Sequence, residues 1–348
     1  MTALRPALEC LLAAALFGLA TPAAKGLLAP VGPLAMAGLL YLGAALATAP
    51  WALRERSGVA RADRRNWAWL AGAVVFGGGL GPVLLMWGLT LAPAASVALW
   101  LNLESVATAL LAWLLFREHV HMRTWAAIAL VTLGSVLLAA PEGFSLGPAG
   151  LLVALACACW GLDNCLTSLI DRFTPAQTTF AKGLVAGSVN LGLALWLRPA
   201  AFGGPPLVAA HVAGALAVGA LGYGASIVLY ISGAQQLGAT RSQMIFATAP
   251  FWGVLAAWGL VGEAVALAQL AAGALMALAL WILHRERHAH LHRHEPQVHT
   301  HLHRHDDGHH IHPHPGLPPD TWHRHEHAHE PRTHAHPHHP DLHHRHEH

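Results

Sequence analysis

Three ionisable side chains stand well inside long apolar runs of this sequence. They are Glu104, Asp163 and Lys182, and a second lysine, Lys25, stands near the end of another run. If these runs cross a membrane, each charge costs roughly 2.5–3.5 kcal/mol to insert, so ionisable residues at such depth usually serve a function. Carboxyl and ammonium groups placed this way can carry protons, bind a charged substrate or neutralise one another.

Asp163 and Lys182 are expected to form an ion pair. At a rise of 1.5 Å per residue, both lie about 6 Å from the membrane midplane on the same side, because their helices run in opposite directions. Lys25 lies near the outer end of its run, where its long side chain can extend to the membrane interface.

Glu104 has no oppositely charged residue at its own depth, near the centre of its run. A carboxyl removed from water favours its neutral form, and a carboxyl that gains and loses a proton can couple transport to a proton gradient. In the alternative interpretation, a permanently protonated Glu104 forms a hydrogen bond with a neighbour such as Asn164 or Asn102. Both interpretations are open at the level of the sequence.

Four further side chains at membrane depth are candidates for lining a substrate pathway. They are Asn102, Asn164, Thr21 and Trp100, the last of which lies one helical turn before Glu104. Asn and Thr side chains also join helices to one another in membranes. A packing role is therefore the alternative for these residues.

The elements that position these side chains are predicted to be transmembrane helices. Of the 348 residues, 55% are hydrophobic and only 11% are charged, whereas soluble domains carry about 25% charged residues. A spanning helix needs roughly 20 mostly apolar residues. In lipid, a chain that does not form a barrel can satisfy its backbone hydrogen bonds only as a helix. The sequence predicts an all-α membrane protein with ten such helices, at residues 8–28, 34–53, 67–90, 94–116, 123–140, 148–170, 175–197, 207–231, 240–262 and 265–283.

The distribution of Lys and Arg predicts the orientation of the chain. Positive residues accumulate in cytoplasmic connections, and here they precede the first run and follow the second, fourth, sixth and eighth. Both termini are therefore expected in the cytoplasm, in the inner membrane of a bacterial cell. The residues are Arg5, Arg54, Arg56, Arg61, Arg64, Arg65, Arg117, Arg123, Arg172 and Arg241.

The two halves of the apolar region repeat one another. At an offset of 145 residues, "LAWLLFRE" (111–118) matches "AAWGLVGE" (256–263), and near the starts "FG" (17–18) matches "WG" (160–161) at an offset of 143. Five is an odd number of crossings, so the second copy enters the membrane from the opposite side. Inverted repeats of this kind are typical of secondary transporters. They also count against reading the first run, which follows Arg5, as a cleaved signal peptide.

The stretches "FGLATPAAKGL" (17–27), "LLAWLLFRE" (110–118) and "ATAPFWGVLAAWGLVGE" (247–263) resemble the EamA family of the drug/metabolite transporter superfamily. The resemblance covers residues 1–283. It implies a ten-helix permease that exports amino acids or other small metabolites and needs no cofactor. The expected organisation is one five-helix repeat at 1–141, a second at 142–283 and a tail at 284–348.

The chain departs from this family next to Glu104. The second copy has the family's proline at Pro250, whereas the first copy has Ser105 at the aligned position, preceded by Glu104. The resemblance alone therefore assigns no role to Glu104.

All four cysteines fall inside predicted helices. They are expected to be buried packing residues, and a soft metal site formed by Cys157, Cys159 and Cys165 is the alternative. Residues two apart lie on different faces of a helix, which counts against chelation.

The tail from residue 284 onward has a composition unlike the rest of the chain. It holds 25 of the 28 histidines, alternating with other residues, and it is predicted to be disordered because it cannot build a core. Such tracts are typical of binding to transition metals; a pH-sensitive polar tail is the alternative. The candidate ligands include His299, His301, His303, His305, His325, His327, His329, His343, His344 and His346.

These features favour a secondary-active, proton-coupled exporter of a small metabolite such as an amino acid, and they do not indicate an enzyme. The expected partners are the lipid bilayer and a small-molecule or ion substrate, with no nucleic acid. One alternative is an exporter of divalent Zn, Ni or Co that the tail supplies or gates. A second is a membrane-anchored metal sensor or buffer whose helices serve only as an anchor.

Overall fold

The computed structural model describes residues 4–55, 63–116, 122–138, 147–170, 172–201, 208–237, 245–284, 288–294, 297–303, 323–329 and 332–338. The chain divides into two compact units, Met1–Glu286 and Arg287–His348. The first unit is helical, and the second contains the histidine-rich tail.

The first half of the helical unit contains helices α1 to α5. Helix α3 changes to π-helical geometry in its middle, and helix α4 is broken into α4a and α4b by a turn at Leu101 and Asn102. The bounds are α1 Leu4–Val31, α2 Pro33–Arg54, α3 Arg64–Ala73, Val74–Leu80 (π) and Gly81–Leu91, α4a Ala94–Trp100, α4b Leu103–Phe116 and α5 Met122–Leu138.

The second half contains helices α6 to α10 in a similar order, although α9 also ends in a π-helical segment. Helix α8 has a π-helical middle, and α9 resumes after a turn at Ala247 and Thr248. The bounds are α6 Pro148–Ser168, α7 Pro175–Ala201, α8 Ala209–Gly219, Ala220–Ala225 (π) and Ser226–Leu237, α9 Ala249–Ala256 and Ala257–Val261 (π), and α10 Leu267–His284.

Among the described residues, seven helices are long and apolar enough to cross a membrane. The remaining apolar helices are the shorter α5, α9 and α10. Each of the ten predicted runs therefore overlaps a helix among the described residues, and the predicted fold class is confirmed. Many large apolar side chains on these helices are exposed, as expected of surfaces that face lipid.

Backbone hydrogen bonds at the helix breaks match between the two halves. In α4, Asn102 N donates to Leu99 O and Ser105 N to Asn102 O; in α9, Thr248 N donates to Ile245 O and Phe251 N to Thr248 O. The bonds correspond at an offset of 146 residues. This offset pairs Glu104 itself, and not Ser105 as the sequence alignment predicted, with Pro250.

Close contacts between helices follow the same correspondence. One glycine in the first helix of each copy lies so close to the other copy that an added Cβ would crowd the neighbouring backbone. The two glycines are counterparts in the repeat, and so are the two residues that they contact. The pairs are Gly18 against Gly253, and Gly161 against Ala107. Each copy thus packs its first helix against the broken helix of the other copy, as an inverted repeat requires.

The tail unit contains four short strands, β1 His288–His294, β2 Gln297–His303, β3 His323–His329 and β4 Arg332–His338. Strand β1 pairs antiparallel with β4, and β2 pairs antiparallel with β3. The rest of the tail lies outside the described residues, so the prediction for the tail as a whole stays a prediction.

Candidate functional site

Glu104 lies in the first turn of α4b, where the helix resumes inside the apolar region. Its Oε1 accepts a hydrogen bond from Asn164 Nδ2 of α6 at 2.9 Å, and the same amide group is 3.3 Å from Thr108 Oγ1. Glu104 is half-buried and Asn164 is exposed. A carboxylate is stabilised in the first turn of a helix, where backbone N–H groups have no helical partner. The helix break therefore gives Glu104 a polar setting that a continuous helix would lack.

The ion pair predicted between Asp163 and Lys182 is present. Lys182 Nζ of α7 lies 3.1 Å from Asp163 Oδ1 and 2.8 Å from Oδ2 of α6. Thr167 Oγ1 donates to Asp163 Oδ1 at 3.0 Å. Because both side chains are shielded from solvent, each charge depends on the other for compensation.

The Asp163 carboxylate lies against the π-helical segment of α3. An added Cβ on Gly77 would overlap the carboxylate, and in the second copy an added Cβ on Gly222 would overlap Ala20. Gly222 and Ala20 are the counterparts of Gly77 and Asp163. The same packing position therefore holds an acid in one copy and a methyl group in the other.

Side chains from three helices satisfy the carbonyl groups that the π-helical segment exposes. Gly77 O accepts hydrogen bonds from Tyr41 Oη at 2.5 Å and from Trp160 Nε1 at 2.9 Å. Asn190 Nδ2 lies 3.4 Å from Gly78 O and 3.2 Å from Gly79 O. π-Helical turns often occur at functional sites, and this one brings α2, α6 and α7 together beside the ion pair.

Two tyrosine side chains lie within electrostatic range of Glu104. Tyr41 and Tyr223 have ring centroids 5.8 Å apart, and Tyr223 makes an edge contact with Phe17 at 5.5 Å. Glu104 is close enough to interact electrostatically with both tyrosines, and with Asp163 as well. We call Glu104, Asn164, Asp163, Lys182, Tyr41 and Tyr223 the central polar cluster.

Lys25 binds backbone carbonyl groups at the end of a neighbouring helix, and its extension to the membrane interface stays a prediction. Its Nζ donates to Leu89 O at 2.5 Å and to Ala92 O at 2.9 Å, at the C-terminal end of α3. Carbonyl groups at a helix end lack helical partners and attract a cation, so they provide partners for the charge of Lys25.

Glu263 binds the other side of the same connection. Its carboxylate accepts from Ala94 N at 2.7 Å and from Ala95 N at 2.9 Å, at the start of α4a. Lys25 and Glu263 together bracket the connection between α3 and α4, each complementing the dipole of the helix end it contacts. We call this pair the α3–α4 bracket.

The remaining predicted pathway residues lie in the core. Trp100 is buried and donates from Nε1 to Ser135 O at 3.1 Å, and Asn102 is buried with Nδ2 3.0 Å from Leu99 O and 3.3 Å from Met276 Sδ. Thr21 is also buried. These contacts are typical of packing, and a pathway role for the three residues stays a prediction.

Metal-binding candidates fall into two groups. Cys10, Cys157 and Cys165 are buried and Cys159 is half-buried, all as free thiols; among residues whose side chains the structure describes, no group of three His, Cys, Asp or Glu could hold a metal ion. The tail candidates on β2 and β3 are His299, His301, His303, His325, His327 and His329. His305, His343, His344 and His346 lie outside the described residues.

Tyr41, Tyr223 and Glu263 are the members of these clusters that the sequence analysis did not select as site residues. Tyrosine is rare here, with three in the chain, and its occurrence at mid-span was the signal that could have drawn attention to two of them. Glu263 was visible as a repeat match, but its contact with the distant Ala94 depends on how the two halves pack.

Comparison with known proteins gives a consistent result. The EamA-like transporter family matches the chain twice, over residues 5–140 and 147–285. A protein described as an uncharacterized transporter, from Methanothermobacter thermautotrophicus strain Delta H, is 26% identical over 240 residues, which cover 66% of this chain and 68% of that protein. A solved crystal structure with 17% identity superposes with a TM-score of 0.59 over 80% of this chain and 95% of the other; it is similar in fold.

Proposed function

The chain belongs to the EamA-like transporter family, and from this premise we propose that it is a proton-coupled exporter of a small metabolite that carries a cationic group, such as an amino acid. The observation that carries the proposal is the position of Glu104. It is a half-buried carboxyl at a helix break inside the membrane, and it is bound to a neutral amide of the other repeat. It is therefore free to exchange its proton.

The charges of the central polar cluster support a cationic group on the substrate. Asp163 and Lys182 compensate one another at 2.8 Å, so an ionised Glu104 leaves the cluster with one net negative charge. An ammonium group or a proton can neutralise that charge, but both cannot do so together. Competition between the proton and the substrate for one carboxyl is sufficient to couple proton entry to substrate export.

The nearby aromatic rings support the same substrate class. Tyr41, Tyr223 and Phe17 form a continuous set of ring contacts, and the two tyrosines lie within electrostatic range of Glu104. Aromatic faces attract cations, and aromatic side chains are common in sites that bind small molecules. A substrate with an ammonium group and an apolar part matches both kinds of neighbour.

The proposed cycle uses one protonation change. Facing the cytoplasm, Glu104 releases its proton and binds the cationic group of the substrate. After the helices reorient, a proton from outside binds to Glu104 and displaces the substrate, and the protonated protein returns. Inverted repeats commonly hold their site near the midplane, between the two halves, and Glu104 and Asn164 come from different halves.

The test is transport into proteoliposomes with an imposed proton gradient. Purified protein is offered a panel of amino acids, neutral and anionic metabolites, and Zn²⁺, Ni²⁺ and Co²⁺. The proposal expects gradient-dependent transport of cationic or zwitterionic compounds that collapses with a protonophore. Gradient-independent transport, or transport of anions alone, would contradict it.

Divalent-metal export is the second candidate, supported by the histidine-rich tail, and the metals in the same panel test it. A sensor or buffer that is only anchored by its helices has less support, because an anchor needs neither a repeat nor an ion pair at membrane depth. We also propose the inner membrane of a bacterial cell with both termini cytoplasmic, on the distribution of arginines.

A further inference from the structure

The stretch of chain that leads into α7 brings the end of α2 and the start of α3 to one surface. Thr174 Oγ1 donates to the carboxylate of Glu55, and Gln177 Nε2 donates to the backbone oxygen of Glu55 at 3.2 Å, just after α2. The backbone N–H of Arg172 donates to Asn66 Oδ1 at 3.3 Å, in the first turn of α3. One short stretch therefore holds both helix ends on the same side of the membrane.

The surface formed in this way is rich in arginine. Between residues 54 and 65 the sequence has five arginines and only two acids. Both acids accept hydrogen bonds from uncharged groups: Glu55 accepts from the Thr174 hydroxyl, as above. Asp63 accepts from the backbone and side-chain amides of Asn66. We use the name basic surface for the exposed arginines of these three elements that the structure describes, which are Arg54, Arg64, Arg65 and Arg172.

Tryptophans flank the basic surface. Trp51 in the last turn of α2 is 50% exposed, and Trp67 in the first turn of α3 is 49% exposed. The ring centroid of Trp67 lies 4.9 Å from that of Phe173, in an edge contact. Tryptophan side chains collect at the level of the lipid headgroups, where the indole ring meets both apolar chains and polar groups. The basic surface is therefore expected at the depth of the lipid phosphates.

We propose that the basic surface binds the headgroups of anionic phospholipids in the leaflet that it faces. Clusters of arginine directly beside the end of a membrane helix attract anionic lipids. A guanidinium group can also donate two parallel hydrogen bonds to a phosphate group. A headgroup with a net negative charge matches a surface on which the arginines outnumber the acids.

This role differs from the effect of arginines on the orientation of the chain. Orientation depends on how many positive residues each connection carries, whereas a binding surface needs arginines that converge from different elements. Here they come from α2, from α3 and from the stretch before α7, so a bound lipid also joins these elements. A ligand that binds only the folded protein stabilises it. The inference does not depend on the transported substrate.

The test compares three full-length variants with the wild type. R54Q/R64Q/R65Q removes three charges from the basic surface, and R54K/R64K/R65K keeps the charges but loses the paired donors. The matched control, R5Q/R123Q/R241Q, removes three arginines from other connections. Each purified protein in a nonionic detergent is titrated with a short-chain phosphatidylglycerol, with the corresponding phosphatidylcholine, and with inorganic phosphate. The readouts are the unfolding temperature and the number of lipids retained in native mass spectrometry.

We expect phosphatidylglycerol to raise the unfolding temperature of the wild type, and the other two compounds to leave it unchanged. The half-maximal concentration of phosphatidylglycerol should rise about fivefold for each charge removed, and so at least tenfold in R54Q/R64Q/R65Q. The lysine variant should lie between this variant and the wild type. The control should respond within about twofold of the wild type.

Two results would overturn the proposal. If the control loses as much affinity as R54Q/R64Q/R65Q, binding follows the total charge of the protein and not this surface. If phosphatidylcholine or inorganic phosphate stabilises the wild type as strongly as phosphatidylglycerol, the surface does not recognise anionic lipid. If R54Q/R64Q/R65Q fails to fold, the lysine variant decides, because wild-type retention of phosphatidylglycerol by that variant would exclude paired guanidinium contacts with the headgroup.

Discussion

Asn164 donates its side-chain amide to Glu104 Oε1 over 2.9 Å, so a residue of the second repeat holds the carboxyl at the helix break of the first. An amide can donate to a carboxylate or to the carbonyl oxygen of a neutral carboxyl. The contact is therefore compatible with both protonation states. A group that changes charge during transport needs a partner of this kind.

The first prediction concerns Glu104→Gln. Gln keeps the size and the oxygen that accepts from Asn164, but it cannot lose a proton. We expect the variant to insert and fold normally, while proton-driven transport is abolished and any residual transport is independent of pH. The measurement is the initial rate in proteoliposomes across a range of pH.

Glu9→Gln is the matched control, because Glu9 is also a glutamate in a membrane helix but pairs with Arg5 at 3.0 Å. It should keep the pH dependence of the wild type. Normal transport by Glu104→Gln at every pH would leave Glu104 as a packed, protonated residue without a coupling role.

The second prediction concerns the Asp163–Lys182 pair. Removing one partner of a buried ion pair costs about 3–5 kcal/mol, because the other charge is left uncompensated. Asp163→Ala and Lys182→Ala should each lower membrane abundance and resistance to unfolding in detergent, and the double variant should regain part of the loss. The measurement is a double-mutant cycle on folded, membrane-inserted protein.

Arg5→Ala provides the comparison, since the Arg5 side chain is exposed and such pairs contribute about 0–1 kcal/mol. A double variant no more stable than the weaker single variant would show that the two charges do not compensate one another.

The ion pair could be predicted from the sequence because helix rise alone sets the depth of a residue. The break in α4 could not, because Leu101 and Asn102 carry no proline or glycine signal. Its counterpart in α9 lies next to Pro250, which lacks an N–H group and so fits a helix start. The place of Glu104 in a first helical turn therefore emerged only with the backbone.

The third prediction concerns the α3–α4 bracket. Glu263→Ala removes both acceptors from the first amides of α4a, a loss comparable to that of a helix N-cap, about 0.5–2 kcal/mol. We expect the connection to open about 2- to 30-fold more often. The measurement is the rate at which an impermeant maleimide labels Ala92→Cys, in intact cells and in inverted vesicles.

Glu55→Ala is the control, because Glu55 accepts from the Thr174 hydroxyl at the far end of α2. It should leave labelling at position 92 unchanged. Equal labelling with and without Glu263 would show that the bracket does not restrain this connection.

The fourth prediction concerns Asp63, the N-cap of α3 outside the membrane span. Hydrogen bonds from the Asn66 backbone and side-chain amides hold the pKa of Asp63 below its usual value. A lowered pKa means that the cap stabilises the helix above the ordinary pKa of about 3.9 and that this stabilisation is lost as the pH falls through the lowered value.

Hydrogen exchange in the first turn of α3 measures this effect. In the wild type, protection should decline in acid below about pH 4. In Asp63→Asn it should not change with pH over that window, because Asn still accepts but does not titrate, and in Asp63→Ala it should be low throughout. If protection of this turn in Asp63→Asn still declines in acid, the effect belongs to another titrating group.

The fifth prediction concerns deletion of residues 287–348. This segment forms a compact unit of its own, so the remaining chain should insert and fold. An exporter of metabolites should transport at an unchanged rate after the deletion, whereas a metal exporter supplied by the tail should lose metal tolerance. The measurement is transport in proteoliposomes together with growth at raised Zn²⁺ and Ni²⁺.

Long-range partners were the part of the site that sequence reasoning missed. Lys25 and Glu263 lie 238 positions apart along the chain, and both contact the connection that follows α3. Depth arguments place a residue along the membrane normal but leave its position around the bundle open. For Lys25, they did not identify the carbonyl groups of Leu89 and Ala92 as its partners.

Equivalent positions of the two repeats hold different residues: Ala20 corresponds to Asp163, and Pro250 corresponds to Glu104. This asymmetry has a thermodynamic consequence. If the two repeats were identical, the inward-open and outward-open forms would be related by a two-fold rotation about an axis in the membrane plane, and the empty protein would populate them equally. The unequal charges remove that degeneracy. The resting orientation of the empty protein then depends on the differences between the copies, while the gradients alone still decide the direction of net flux.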